Sequence, residues 1–207
     1  SKSIPSLLQN RPDFIGLAQT GTGKTAAFGL PLIHFLDTSI GHVFALILAP
    51  TRELAQQISR ELENFGKYKK GLRVQVVYGG TPITTQIRDL KKAAPHILVA
   101  TPGRLQDLID RKAVKLDKIE FLVLDEADEM LNMGFIDDIK EILKATGPDK
   151  RMLFFSATMP KPILGIIKKY MKNYEHVAIE KEDLDVNLTE QIYFEVKESD
   201  KFEALCR

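Results

Sequence analysis

Several short stretches of this sequence combine residue types and spacings suited to chemistry on phosphate. The densest is Ala18-Gln19-Thr20-Gly21-Thr22-Gly23-Lys24-Thr25, followed by Ala26. It lies between a short apolar run, Phe14-Ile15-Gly16-Leu17, and an Ala/Leu-rich segment ending near Leu36. Strand, glycine loop and helix in that order are the context a phosphate-binding loop requires. Gly21 and Gly23 free the backbone to bend so that successive N–H groups face an anion. The N-terminus of the following helix adds partial positive charge. Lys24 then supplies a mobile cation for the β- and γ-phosphates, and the Thr25 hydroxyl is placed to ligate Mg²⁺. Ala18 stands where the G-x-x-x-x-G-K-[ST] pattern has glycine. Alanine disfavours positive φ, so position 18 is expected in ordinary extended backbone as the strand ends. This loop implies a nucleotide and nothing narrower.

Asp125-Glu126-Ala127-Asp128 ends the run Phe121-Leu122-Val123-Leu124. An Asp at a strand tip holds Mg²⁺, usually through its water shell, and a neighbouring carboxylate can polarise the attacking water. Asp125 is assigned to the metal and Glu126 to water activation. A solvated acidic turn capping the next helix would look the same in isolation; beside a phosphate loop it explains less. Three further loops share a pattern. Pro50-Thr51-Arg52 precedes a helical segment, Thr101-Pro102-Gly103-Arg104 repeats the arrangement, and Gly79-Gly80 lies between them in sequence. A threonine cap leaves helix N–H groups near an anion, arginine offers a bidentate fork, and a glycine pair permits close backbone approach. Together they could form a track for a sugar-phosphate backbone, although each alone is more often an ordinary helix cap or turn. Ser156-Ala157-Thr158 offers two hydroxyls that can bond a carboxylate across the site, with Asp128 the candidate; an N-cap before Pro160 is the plainer alternative.

The elements that must position these residues alternate along the chain. Strands are expected at 14–17, 43–49, 73–78, 96–100, 121–124, 152–155 and 176–179. Helices are expected at 25–35, 53–67, 84–93, 103–110, 136–144 and 162–171. Most of the strands are continuous apolar runs, as in a parallel sheet covered on both faces. The fold class is therefore α/β, doubly wound, with a mostly parallel sheet and helices on both faces. Ligands of such sheets bind beyond the carboxyl ends of the strands, where every motif above falls. Residues 181–190 are polar and acidic and read as a linker after a domain spanning 1–180. Residues 191–207 then read as the opening of a second, truncated domain, with a strand over 191–196 and a helix from Ser199.

Composition narrows the class. Hydrophobic residues at 44% and charged residues at 28% are ordinary for a globular protein. A net charge of +1 excludes a nucleic-acid binder driven by bulk charge, so any such surface must be a local patch. The single cysteine, Cys206, excludes an internal disulfide and points to a reducing, cytoplasmic setting. The apolar runs are too short to span a bilayer, and no membrane partner is expected. The start lacks Met and signal-peptide features, which reads as a trimmed or internal fragment.

In the order and spacing of these motifs the chain resembles the N-terminal RecA-like domain of a DEAD-box RNA helicase. Residues 18–25 match motif I, 50–55 motif Ia, Gly79-Gly80 the GG motif and 101–104 motif Ib. Residues 125–128 match motif II letter for letter, 156–158 match motif III, and Met130-Leu131-Asn132-Met133-Gly134-Phe135 is similar to the helix after motif II. The family's adenine-reading Q motif would precede Ser1, and the second RecA-like domain with its arginine fingers is absent beyond its entry. The resemblance implies ATP and Mg²⁺ as cofactors, with the phosphates held by residues 18–26. Thr25 and Asp125 would hold the metal, Glu126 would act as base, and Lys24 would share in catalysis. RNA would be contacted through Pro50, Thr51, Arg52, Gly79, Gly80, Thr101, Gly103 and Arg104, without sequence preference. Asp128, Ser156 and Thr158 would couple the nucleotide to closure on the second domain in cis. The implied activity is local RNA duplex unwinding or RNA–protein remodelling. A non-processive RNA clamp and a DNA-acting P-loop translocase are the alternatives, and a metabolic P-loop kinase explains none of the three backbone loops. Without an arginine finger, residues 1–207 alone are expected to bind nucleotide weakly and to lack RNA-stimulated ATPase.

Overall fold

A computed structural model of the chain describes residues 3–9, 12–18, 21–171, 173–178 and 192–206. In chain order the elements are α1 (Ser3–Gln9), β1 (Asp13–Leu17), α2 (Lys24–Phe35), β2 (Ala45–Leu48), α3 (Arg52–Phe65), β3 (Val74–Val77), α4 (Ile83–Lys92) and β4 (Ile97–Ala100). There follow α5 (Pro102–Asp110), β5 (Phe121–Leu124), α6 (Ala127–Asn132), α7 (Ile136–Ala145), β6 (Arg151–Ser156), α8 (Lys161–Tyr170) and β7 (Tyr174–Ala178). A 3-10 turn, Glu198–Asp200, and α9 (Lys201–Cys206) close the chain.

The seven strands form one sheet in the order β3-β4-β2-β5-β6-β1-β7, and every pairing is parallel. The continuous apolar runs have their expected cause: β2, β4, β5 and β6 are buried at every residue because both faces are covered. Alternate residues feed opposite cores. Ala45 and Ile47 join Phe14, Phe28, Leu62 and Phe155 under α1, α2 and α3. Leu46 and Leu48 join Leu122, Leu124, Phe154 and Met130 under α5 to α8. This is the doubly wound α/β architecture expected.

The strand order divides the carboxyl edge into two adjoining trios. The tips of β5, β6 and β1 carry the acidic tetrapeptide, Ser156 and the glycine loop. The tips of β3, β4 and β2 carry Gly79-Gly80, Thr101-Arg104 and Thr51-Arg52.

Observed strands and helices fall within about two residues of the expected ones, the normal spread at fraying ends. Four differences have physical reasons. The helix α1 was not expected, since seven residues are too few to show a period. Tertiary contact supplies what propensity does not: Leu7 is fully buried and its carbonyl accepts from Arg151 Nη1 at 2.8 Å. The short α6 is likewise hidden behind the acidic motif from which it starts. The last strand, β7, begins at Tyr174, two residues early, because Asp13 and Phe14 of β1 extend the pairing to Tyr174 and Glu175. The strand expected at 191–196 is corrected: residues 192–197 make no sheet pairing, and Ile192, Tyr193 and Phe194 are exposed. A strand needs a partner strand, and none lies beside this segment among the described residues. The helix expected from Ser199 is present as the turn and α9. The linker reading falls on 181–190, outside the described residues.

Candidate active site

The glycine loop leaves β1 and enters α2. Ala18 still continues the sheet, its N–H donating to the Ser156 carbonyl at 3.1 Å. It is not among the positive-φ residues, as expected for an alanine there. Gly21 and Gly23 adopt φ of 79° and 80°, and among the described residues no atom beyond the adjoining ones lies within 4 Å of where a side chain would begin. Backbone conformation, not space, therefore demands glycine. Gly23 caps α2, and its carbonyl accepts from Ala27 N–H at 3.1 Å. Lys24 opens the helix and, unusually for lysine, is only 9% exposed. Gln19 and Thr20 lie outside the described residues; Thr22, Thr25 and Ala26 follow the loop into the first turn.

The Lys24 side chain crosses β6 to the tip of β5, where Nζ lies 3.7 Å from Asp125 Oδ1. Asp125 is 2% exposed, and its Oδ1 also accepts the Glu126 N–H at 3.1 Å. Glu126 then turns into the left-handed region, φ 51° and ψ 52°, and caps α6. A non-glycine residue there is strained by about 1–2 kcal/mol. That turn sends the two aspartates apart. Asp125 points into the sheet edge, while Asp128 Oδ2 accepts from Thr158 N at 2.8 Å and Thr158 Oγ1 at 2.9 Å. Ser156 Oγ accepts the Asp128 N–H at 3.2 Å and donates to the Thr158 carbonyl at 2.7 Å. The structure thus joins Asp128, Ser156 and Thr158, the pairing anticipated from their chemistry.

On the other trio, Thr51 caps α3 by accepting the Leu54 N–H at 3.2 Å. Pro50 is buried beneath it, while Arg52 is exposed and stacks its guanidinium over Tyr78, 4.8 Å from the ring centroid. Gln56 Nε2 donates to the Tyr78 hydroxyl at 2.8 Å, closing a link between the β2 and β3 tips. Gly79 and Gly80 are exposed, and Gly80 has φ 81°. Thr101 caps α5 without a side-chain bond, so its hydroxyl differs from that of Thr51. Gly103 is half-buried in the first turn. Arg104 turns inward: Nη2 donates to the Thr81 carbonyl at 3.0 Å and Nε lies 4.0 Å from Asp107 Oδ2, while Nε and Nη1 are buried with no hydrogen-bond partner among the described residues. Its fork supports the turn after Gly79-Gly80 rather than facing outward.

A family model described as DEAD/DEAH box helicase matches residues 1–165. The chain belongs to the DEAD/DEAH box helicase family. It is 54% identical over 206 residues to an ATP-dependent RNA helicase CshA of Listeria monocytogenes, covering all of this chain and 39% of that protein. With a CshA of Limosilactobacillus reuteri the identity is 52%, over 100% of this chain and 41% of the relative. The chain therefore spans about two fifths of the length of these curated relatives. The fold is that of a solved DEAD box protein from the hyperthermophile Methanococcus jannaschii, with TM-score 0.83 and 45% identity over 99% of this chain and 54% of that one. A hypothetical ATP-dependent RNA helicase from Sulfolobus tokodaii matches with TM-score 0.76 and 40% identity, over 86% of this chain and 51% of that one. The RecA-like architecture expected for the family is the one observed.

Within this DEAD/DEAH box site the two aspartates are tuned in opposite directions. Burial pushes the Asp125 carboxyl up from 3.8 to about 6; Lys24 opposes the shift and Glu126 adds to it. Burial also acts to raise Asp128, but the hydroxyls of Thr158 and Ser156 and the Thr158 N–H outweigh it and hold the carboxyl below 3.8. The helicase-family chain also contains connecting residues that sequence reasoning missed. Tyr78, Gln56, Thr81 and Gln86 lace the track loops together; Gln86 Nε2 donates to the Tyr78 carbonyl at 3.1 Å and to Thr81 Oγ1 at 2.7 Å. Their only sequence signal was an aromatic before a glycine pair and a glutamine one helical turn into α4. Among the described residues no three His, Cys, Asp or Glu side chains converge, and no helix is long and apolar enough to cross a membrane.

Proposed function

We propose that the chain is the nucleotide-binding part of an ATP-dependent RNA helicase, working with a second RecA-like domain to separate or remodel RNA. The observation that carries this reading is the meeting of a buried Lys24 with a buried Asp125 at the end of a left-handed glycine turn. Lysine and aspartate buried together at a strand tip are costly unless a ligand uses both charges. A nucleotide triphosphate with Mg²⁺ does so.

Phosphate oxygens would be received by the N–H groups of Gly21 to Thr25 and by Lys24, which exchanges its aspartate for the anion. The residues present fit a divalent cation. Asp125 is a buried carboxylate, raised to about 6 chiefly by that burial with Glu126 adding to it, and a cation at its oxygens would offset the desolvation. Mg²⁺ commonly takes one or two carboxylates, with waters and phosphates completing its shell, and the Thr25 hydroxyl with Asp125 would suffice. When bound, the ion neutralises charge developing on the transferred phosphoryl group. Glu126 orients and deprotonates the attacking water. Asp128, held by Thr158, transmits occupancy of the site to the β6 loop and so to domain closure. Arg52, Thr51, Thr101 and the Gly79-Gly80 backbone grip RNA phosphates without reading bases, whereas Arg104 acts from beneath by fixing the Gly79–Thr81 turn.

Titration with a fluorescent ATP analogue and Mg²⁺ tests the reading. Lys24→Ala should weaken binding by about 2–5 kcal/mol, the cost of truncating one partner of a buried charge contact. Unchanged affinity would overturn the phosphate-loop assignment. Competition between matched RNA and DNA strands separates a helicase or RNA clamp from a DNA translocase, since 2′-hydroxyl contacts give RNA preference.

A further inference from the structure

The track loops lie at the carboxyl tip of the edge strand β3, but the most basic feature of the chain lies at its other end. Residues 66–73, joining α3 to β3, read Gly-Lys-Tyr-Lys-Lys-Gly-Leu-Arg. All of them except Tyr68, which projects into solvent, line a cavity of about 520 Å³, with Lys67, Lys69, Lys70 and Arg73 against the single acid Glu63. In a chain of net charge +1 this is a local patch, not a reflection of overall composition.

We propose that this loop is a further contact for single-stranded RNA, with Tyr68 as stacking platform and Lys67 and Lys70 on phosphates. Four observations converge on it. Tyr68 is 86% exposed, far beyond what a tyrosine with a packing role would show, and Lys67 Nζ sits 4.8 Å from its ring centroid. Cations interleaved with an exposed aromatic are the means by which proteins hold single strands without reading sequence. Secondly, the other two cations fix the loop instead of competing for ligand. Lys69 Nζ donates to the Ile33 carbonyl, and Arg73 donates to Ala94 O at 2.8 Å and Ile40 O at 3.2 Å. Thirdly, the exposed Lys91 and Lys92 end α4 two to three residues before Ala94, whose carbonyl accepts from Arg73, which adds positive charge on the chain that anchors the loop.

The last observation is continuity. A second cavity of about 250 Å³, lined by Gln75, Val76, Val77, Gln86 and Asp89, shares Gln75 with the first. The two follow β3 from the basic loop to Gln86, which bonds the Tyr78 carbonyl next to Gly79. Four strand residues cover about 13 Å, and the ten residues from Lys70 to Gly80 span at most about 35 Å. A strand of RNA leaving the Gly79-Gly80 turn could follow this edge to Tyr68. An acidic peptide would satisfy the lysines but has no use for an exposed ring flanked by them, which favours nucleic acid. The location of the track rests on the function proposed above; the loop itself does not.

Fluorescence anisotropy on the full chain, with oligouridylates of about six and about twelve nucleotides, tests the proposal. The longer probe should bind more tightly to the unaltered chain. Combined Lys67→Ala, Tyr68→Ala and Lys70→Ala should abolish that gain while leaving the short probe unchanged. The salt dependence should flatten by about 1.4 in slope, two phosphate contacts at about 0.7 each, and Tyr68→Ala alone should cost about 5- to 150-fold, the value of one stacked base. A variant that keeps the gain overturns the proposal, as does polyglutamate displacing RNA as well as an oligouridylate of equal charge does. Photocrosslinking with thiouridine RNA distinguishes this from failure of the proposed function. Loss of short-probe binding, or its indifference to Arg52→Ala, would sink the track reading; crosslinks within residues 67–70 would still support this loop, and their absence would sink it.

Discussion

The two trios of strand tips solve opposite problems. At β5, β6 and β1 the polar groups are withdrawn from water: Lys24, Asp125 and Ser156 are all buried, and each is held by named partners. At β3, β4 and β2 the working groups stand in water, with Arg52, Gly79 and Gly80 exposed and tied together only from behind. Desolvation makes charge expensive and therefore sensitive to protons and ligands. Exposure screens charge and leaves geometry as the main variable. The first trio should accordingly respond to pH and nucleotide, and the second to changes that loosen its lacing.

The largest effect should come from Asp125. Its folded-state pKa is raised above the ordinary 3.8 to about 6, so the folded chain binds this proton more tightly than the unfolded chain. Stability from this group is then greatest at low pH and falls as pH rises from about 4 through 6, by up to about 3 kcal/mol. Chemical denaturation across that range should show the decline in the chain without nucleotide, and Asp125→Asn should flatten it. A decline of equal size in the variant would mean that the buried charge is not at Asp125.

Asp128 should behave in the opposite sense although it lies three residues away. Its lowered pKa means that its contribution is present above the ordinary carboxylate range and is lost only as pH falls through the depressed value. Asp128→Ala removes two charge-assisted bonds from Thr158, which partial exposure limits to about 1–2 kcal/mol of stability. Thermal unfolding measures it, and Asp128→Asn, which keeps one acceptor, should lose less.

In the exposed trio the matching experiment is Tyr78→Ala. It removes both the Arg52 stack and the Gln56 hydrogen bond, worth together about 1 kcal/mol. The loss should appear as several-fold weaker binding of a short RNA with nucleotide affinity unchanged. Equal losses for both ligands would show that the two trios are one mechanical unit. Tyr78→Phe, which retains the ring, should be milder than Tyr78→Ala.

How far the sequence revealed these sites differs by trio for the same reason. Buried strands announce themselves as apolar runs, so β2, β4, β5 and β6 were legible, and with them the positions of Asp125 and Asp128 beyond the end of β5; Lys24 was placed by the short run of β1 and the glycine pattern that follows it. The Asp128–Thr158 bond was legible because a carboxylate and two hydroxyls at neighbouring tips have few other uses. Arg104 was misread in direction: an arginine after a glycine looks like an outward fork, and only the tertiary position of the Thr81 carbonyl shows that it points in. Tyr78 and Gln86 left no periodic trace: Gln56 meets the Tyr78 hydroxyl only through the tertiary fold, and Gln86 meets the Tyr78 carbonyl across an irregular turn rather than at a helix or strand spacing. The short α1 depends on Arg151, more than a hundred residues away in sequence, and no local pattern could indicate that.

The smallest predicted effect tests what separates the two aspartates. Glu126 holds a left-handed backbone, φ 51° and ψ 52°, between a carboxylate turned inward and one turned toward Thr158. Glycine at this position should relieve about 1–2 kcal/mol of strain while losing about 0.5–1 kcal/mol to the greater freedom of the unfolded chain. Glu126→Gly is therefore expected to stabilise the chain slightly, by less than about 1 kcal/mol in thermal or chemical unfolding. Glu126→Gln should leave stability unchanged because the strain remains, yet remove the carboxylate proposed to activate water. A stabilised Gly variant beside a neutral Gln variant would mean that the strained turn is retained for its direction, with the side chain kept for its chemistry. If Glu126→Gly is instead destabilising, the side chain itself must hold the turn, and the division between a buried trio and an exposed one would begin at Glu126 rather than at Asp125.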